Sequence, residues 1–128
     1  MIFIVGGNSQ GKLDFALSLL GIGKDDVSDG GSCDFPSAFE KPVLDKLHLL
    51  VGRLVRSGVD PLEFALRGIL VNPGITVICD EIGSGIVPVG KEDRQLRETV
   101  GTVQCELARR ADRVYRVYCS IPTLIKGG

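Results

Sequence analysis

The stretch Ile2-Phe3-Ile4-Val5-Gly6-Gly7-Asn8-Ser9-Gln10-Gly11-Lys12 decides how the rest of the chain reads. Ile2 to Val5 is a short unbroken apolar run, as in a strand buried on both faces of a parallel sheet. Gly6 to Gly11 is a glycine-rich turn. Lys12 to Leu20 then reads as a helix, with Phe15, Ala16, Leu19 and Leu20 on one face, stopped at Gly21. Strand, turn and helix in that order frame the pattern G-x-x-x-x-G-K, which composition alone would produce about 0.1 times in this length.

The chemistry of that pattern is anion binding. Glycines let successive backbone amides curl around phosphate oxygens, and the helix behind them presents unpaired N–H groups and the positive end of its dipole. A lysine reaches the β- and γ-phosphates. Gly6, Gly7, Asn8, Ser9, Gln10, Gly11, Lys12 and Leu13 are therefore the candidate nucleotide-binding residues, with Lys12 catalytic as well. Leu13 stands where a Ser or Thr hydroxyl would ligate Mg²⁺, and leucine cannot ligate a hard cation. Asp14 adds a negative charge beside it. The anion cradle is intact; the metal position is not.

Working outward, Ile75 to Cys79 is a second apolar strand, and it ends in Asp80-Glu81. In phosphoryl-transfer folds such a strand lies beside the loop strand and delivers a carboxylate to the metal or its water. Asp80 and Glu81 are thus the expected catalytic carboxylates, and either is the expected ligand for Mg²⁺. Val114 to Cys119 is a third strand. Lys41 to Ser57 has the spacing of one amphipathic helix. Asp60-Pro61-Leu62-Glu63 opens another with an N-cap acid and proline at the first helical position. Lys91 to Ala111 carries Leu96, Val100, Val103, Leu107 and Ala111 on one stripe. Gly21 to Pro36 reads as a loop.

Helices separating apolar strands predict one α/β domain over residues 1–128, a three-layer fold like that of P-loop (RecA-like) nucleotide-binding proteins, with a small, mainly parallel sheet. A sheet of three strands leaves an edge or face exposed, so a homo-oligomer is expected.

Composition fits this and excludes other classes. The 128 residues are 44% hydrophobic and 24% charged, with a formal net charge of −1. No general positive field recommends nucleic acid as a partner. Apolar runs fall short of the roughly 20 residues a membrane span needs. The N-terminus has no basic region before its apolar run, so it does not read as a signal peptide, and the cytoplasm is the expected compartment. Cys33, Cys79, Cys105 and Cys119 show no paired spacing and His48 is the only histidine, which argues against a zinc centre. The cysteines read as reduced thiols, Cys79 and Cys119 lying in apolar, strand-like runs.

Asp80-Glu81-Ile82-Gly83-Ser84-Gly85-Ile86-Val87-Pro88 resembles the N-E-V-G-x-G-I-V-P signature of the adenosylcobinamide kinase / adenosylcobinamide-phosphate guanylyltransferase family. That family continues with R-x-F-R-D-x-x-G-x-x-N-x-x-L-A-x-x-A-D-x-V-Y. Here Arg94, Arg97, Gly101, Leu107, Ala108, Ala111, Asp112, Val114 and Tyr115 match, while Leu96, Glu98 and Gln104 stand in for Phe, Asp and Asn. Ser120-Ile121-Pro122-Thr123-Leu124-Ile125-Lys126 is similar to the family's G-I-P-x-x-L-K tail. Gly6 to Lys12 with Phe15-Ala16 is similar to its G-G-x-R-S-G-K-S-x-F-A start.

The resemblance implies a kinase that uses ATP or GTP with Mg²⁺ to phosphorylate adenosylcobinamide in cobalamin biosynthesis, in a homo-oligomer that is a trimer by analogy. It makes Gly83, Gly85, Pro88, Arg94 and Arg97 candidate substrate or subunit contacts. The family's H-R-x-x-R stretch, whose histidine carries GMP, has no counterpart. Its D-C-L-T segment finds only a faint echo in Val27-Ser28-Asp29-Gly30 and Ser32-Cys33-Asp34. His48 lies on a helix flank with Leu44 and Val51 and reads as a packing residue, so guanylyl transfer is not expected. A non-catalytic nucleotide-binding or assembly protein on the same fold is the alternative, and a small nucleotide hydrolase with a changed substrate ranks third.

Overall fold

The computed structural model describes residues 1–81 and 91–128, with the side chains of residues 91–93 left aside. Among the described residues, six strands form one sheet. They are β1 (Ile2–Gly6), β2 (Val27–Asp29), β3 (Val43–Asp45), β4 (Thr76–Asp80), β5 (Arg113–Tyr118) and β6 (Ile121–Lys126). Helices α1 (Lys12–Leu20), α2 (Leu47–Arg56), α3 (Pro61–Val71) and α4 (Lys91–Arg110) connect them. The sheet runs in the order β2-β3-β4-β1-β5-β6, parallel throughout except for the antiparallel pair β5–β6.

Alternation along each strand divides the core in two. Phe3, Leu44, Val77, Cys79 and Val114 face α2, α3 and α4, where they meet Leu47, Leu50, Val51, Leu54, Ala65, Val100, Val103 and Leu107. Ile4, Val43, Ile78 and Val117 face the other way, onto Ala16 of α1 with Leu13, Phe15 and Leu20. The expected stripe on α4 is the one that packs. The predicted start of α3 is also confirmed: the Asp60 carboxylate accepts hydrogen bonds from the N–H groups of Leu62 and Glu63, with Pro61 in the first turn.

Three expectations are corrected. The single helix over Lys41–Ser57 is two elements, β3 and then α2, divided at Lys46, whose φ is +59°. Val43 and Leu44 are in phase with the stripe of the helix that follows, and no Gly or Pro marks the break. The loop from Gly21 to Pro36 contains β2, a strand with one apolar residue of three. The C-terminal tail is β6, joined to β5 by Cys119-Ser120 in left-handed backbone (φ +49° and +63°), as a two-residue type I′ hairpin requires. Cys119 is consequently an exposed turn residue rather than part of a buried strand; Cys79 is buried in β4.

β6 is an edge strand exposed along its length, with Ile121, Leu124 and Ile125 open to solvent and Pro122 tolerated because nothing among the described residues pairs beyond it. Among the described residues no helix is long and apolar enough to cross a membrane.

Candidate nucleotide site at the carboxyl edge of the sheet

Ligands of open parallel sheets bind beyond the carboxyl ends of the strands, where the order of connection reverses. Here β1 has β4 on one side and β5 on the other, and the loop after β1 opens at that point. A cavity of about 440 Å³ lies there, lined by Asn8 to Asp14, Asp45, Lys46, Asp80 and Ser120.

The loop has the backbone its sequence demands. Gly11 caps α1 at φ +89°, Ser9 sits at φ +59°, and no side chain caps the helix, so its first amides remain available to an anion. Gly11 is also sterically required, since a Cβ there would lie 2.7 Å from Ser120 Oγ. Gly6 packs so closely against β5 that a Cβ would lie 2.4 Å from the Val117 carbonyl oxygen. The Gly6 carbonyl accepts the Glu81 N–H at 2.7 Å, tying the loop's root to the end of β4.

Lys12 is the centre of the site. Although a lysine, it is only 8% exposed, and its Nζ donates to the Gly7 carbonyl at 2.6 Å and pairs with Asp80 Oδ1 at 2.9 Å. An ammonium so nearly buried persists because both partners are oxygens already in place. Asp80 is held in turn from two helices. Its N–H donates to His48 Nδ1 at 3.2 Å, and its carbonyl accepts from Gln104 Nε2 at 2.7 Å. His48 Nε2 lies 3.4 Å from Asp80 Oδ2. Because Nδ1 accepts a bond, the ring proton sits on Nε2, facing the carboxylate.

Burial pushes the His48 pKa below 6.5 against the opposing pull of Asp80, so the ring is neutral at pH 7. Gln104 Nε2 also reaches Cys79 Sγ at 3.0 Å, and burial raises that thiol to about 12, which leaves it unreactive.

The sequence-predicted residues divide as follows. Asn8, Ser9, Gln10, Gly11, Lys12, Leu13 and Asp80 line the cavity, with Gly6 and Gly7 at its root. Glu81 turns away to pair with Arg116 at 3.0 Å. Arg94 is exposed on α4, Arg97 is half-buried there, and neither lines the cavity. Gly83, Gly85 and Pro88 lie outside the described residues.

Sequence reasoning missed Asp45, Lys46, His48 and Ser120 in the site. Asp45 and Lys46 were hidden by reading β3 as helix, and His48 by reading it as a packing residue. Ser120 is invisible until β6 folds back and brings the turn onto the loop. There Gln10 Oε1 accepts the Cys119 N–H at 2.6 Å, and the Gln10 carbonyl accepts the Ser120 N–H at 2.8 Å.

The donor set was tested against Mg²⁺. Leu13 offers no oxygen, both Asp80 oxygens face Lys12 or His48, and Glu81 is paired with Arg116. Among the described residues no group of three or more His, Cys, Asp or Glu side chains is placed to hold a metal ion. Leu13, Asp80 and Glu81 as placed do not fit a magnesium ion; Asp45, which lines the same cavity, is the carboxylate that could meet one carried on a nucleotide's phosphates.

A family model described as cobinamide kinase / cobinamide phosphate guanyltransferase matches residues 59–125. The chain belongs to that family. The match begins after the phosphate loop, so it is independent of the G-x-x-x-x-G-K pattern, and it takes in β4, α4 and the β5–β6 hairpin. No curated protein matches the chain.

Family membership sharpens three observations. Gln104, in place of the family's Asn, is the residue that clamps the Asp80 carbonyl. Ser120, in place of the family's Gly, keeps the left-handed backbone that glycine adopts without cost. Asp45-Lys46-Leu47-His48, at the end of a strand adjacent to β4, shares an Asp and a Leu with the D-C-L-T segment, beside the faint echo at Val27 to Asp34.

Proposed function

We propose that this chain is a nucleoside-triphosphate-dependent kinase of cobalamin biosynthesis, a P-loop (RecA-like) domain that phosphorylates adenosylcobinamide and has lost guanylyl transfer. The observation that carries this is Lys12, nearly buried at the head of an uncapped helix and held between a loop carbonyl and the Asp80 carboxylate. On binding ATP or GTP, the loop amides and the Lys12 ammonium take up the charge that spreads over the transferring phosphoryl group. Any Mg²⁺ comes on the nucleotide's own phosphates, and no step of the reading passes through it.

Loss of guanylyl transfer has its own support. The sole histidine has its one basic lone pair, on Nδ1, engaged by the Asp80 N–H, and its Nε2–H faces the Asp80 carboxylate, so no lone pair is free to attack a phosphorus. The exposed β6 edge supports a homo-oligomer, with a trimer by family likeness, and the reading places the protein in the cytoplasm.

The test is phosphorylation of adenosylcobinamide by the purified protein, with Lys12→Ala as control; no turnover above that control overturns it. A second reading rests on Leu13: a non-catalytic nucleotide-binding protein. It requires nucleotide binding indifferent to Mg²⁺ and no turnover, and Mg²⁺-dependent activity on Leu13→Ser would identify a degenerated kinase. Hydrolysis of nucleotide without any response to the corrinoid would favour the third, a hydrolase.

A further inference from the structure

Three neighbouring parallel strands end in aspartate at the edge where the cavity opens: Asp29 on β2, Asp45 on β3 and Asp80 on β4. Two of the three are fully engaged. Asp80 gives one oxygen to Lys12 and turns the other to His48, while Asp29 accepts the Gly31 N–H with Oδ1 and pairs with Lys46 through Oδ2. Asp45 differs. Its Oδ1 accepts the Lys46 N–H at 2.9 Å, and among the described residues its Oδ2 takes no hydrogen bond or ion pair. It is half-buried, and it lines the same cavity as the phosphate loop and Asp80.

We propose that Asp45 is the general base for the alcohol that accepts the phosphoryl group. This rests on the kinase reading above. Asp80, Glu81 and His48 are excluded by their partners. Asp80 is bonded to an ammonium, Glu81 to a guanidinium, and His48 has its lone pair on the Asp80 N–H. Asp14 lines the same cavity from the first turn of α1, but it is exposed where Asp45 is half-buried.

In the step, the acceptor O–H proton passes to Asp45 Oδ2 as the alcohol oxygen bonds the γ-phosphorus. The bond from that phosphorus to the β–γ bridging oxygen breaks, its electron pair leaves with the nucleoside diphosphate, and Asp45 returns the proton to water after release.

The surroundings suit the task. Burial raises the Asp45 carboxyl above 3.8, and Asp29 pushes the same way, while the Lys46 N–H and the Lys46 and Lys12 charges lower it. His48 and Asp80 complete the titratable groups that face it. A carboxylate with a raised pKa is the better proton acceptor.

The experiment uses the whole chain and Asp45→Asn, which keeps an acceptor for the Lys46 N–H. Nucleotide affinity is measured by calorimetry, and transfer from ATP or GTP to adenosylcobinamide is followed as a function of pH. The expected result is an affinity within about threefold of wild type, a kcat lower by about 10²–10⁴-fold, and loss of the acid limb of the profile.

An active wild type with Asp45→Asn turning over within about threefold of it and the acid limb intact overturns the inference alone. No turnover by the wild type overturns the kinase reading and this inference with it. If Asp45→Asn does not fold, Asp45→Glu carries the test: an active enzyme with a displaced acid limb supports the base, and an unchanged profile refutes it.

Discussion

Asp80→Asn should make the free protein less stable and the nucleotide bind more tightly. The reason lies in what Lys12 does before a ligand arrives. Its ammonium is bonded to Asp80 at 2.9 Å, with the two side chains 8% and 27% exposed. A charge-assisted bond is worth about 1.5–3 kcal/mol, and an exposed pair much less. With one partner nearly buried and the other a quarter exposed, about 2 kcal/mol is the appropriate middle value. A phosphate that claims Lys12 must give that up in the wild type and has less to give up in the variant.

The same 2 kcal/mol or so then enters twice with opposite signs. It lowers the melting temperature of the free variant by about 7 °C for a chain of this size. It tightens nucleotide binding by up to about 30-fold, the retained amide acceptor trimming both. The assay is calorimetric titration of wild type and Asp80→Asn with a non-hydrolysable triphosphate in chelator-containing, low-salt buffer, beside thermal melts of the free proteins. Equal or weaker binding by the variant would refute the reasoning, because it would mean that the ligand never takes Lys12 from Asp80.

Other consequences are as direct. His48 has a folded pKa below its unfolded 6.5, so wild-type stability is full above that pH and is lost as pH falls through it towards the folded value. His48→Gln should remove this slope in denaturant melts taken across the range. Asp45 has the opposite sign: its folded pKa is raised, so its ionised form costs stability at neutral pH. Asp45→Asn should therefore melt no lower than wild type at pH 7, and a clear drop would contradict that. Gly11→Ala places a side chain at φ +89° and 2.7 Å from Ser120 Oγ; it should cost about 1–2 kcal/mol in melts and weaken nucleotide binding. Ile125→Lys on the exposed edge should leave monomer stability within about 0.5 kcal/mol, and, if the β6 edge carries the proposed assembly, abolish the wild type's self-association in light scattering.

What the sequence disclosed and what it hid separate along a physical line. β1, α1, α3, α4 and β4 are long or capped, and their apolar spacing has one interpretation. β3 carries two apolar residues whose phase continues into α2, and the change from period 2 to 3.6 occurs at a lysine in left-handed backbone, a conformation no composition rule assigns to lysine. β2 is held by its neighbour and has little pattern of its own. Of the site, everything local to the loop was readable, because consecutive residues make it. Asp45, His48 and Ser120 reach it from another strand, a helix and a turn, and only the order of the sheet brings them there.

The two hydrogen bonds that Gln10 accepts from the Cys119 and Ser120 N–H groups join the glycine-rich loop to the hairpin that ends in the open edge of the sheet. If β6 pairs with another chain and these bonds transmit the effect, linkage is reciprocal: whatever factor a bound nucleotide adds to the strength of that pairing, the pairing adds to the affinity for nucleotide. Loop occupancy and assembly would then be two readings of one coupling constant, and Gln10, which touches both the loop and the hairpin, is where a substitution would test it.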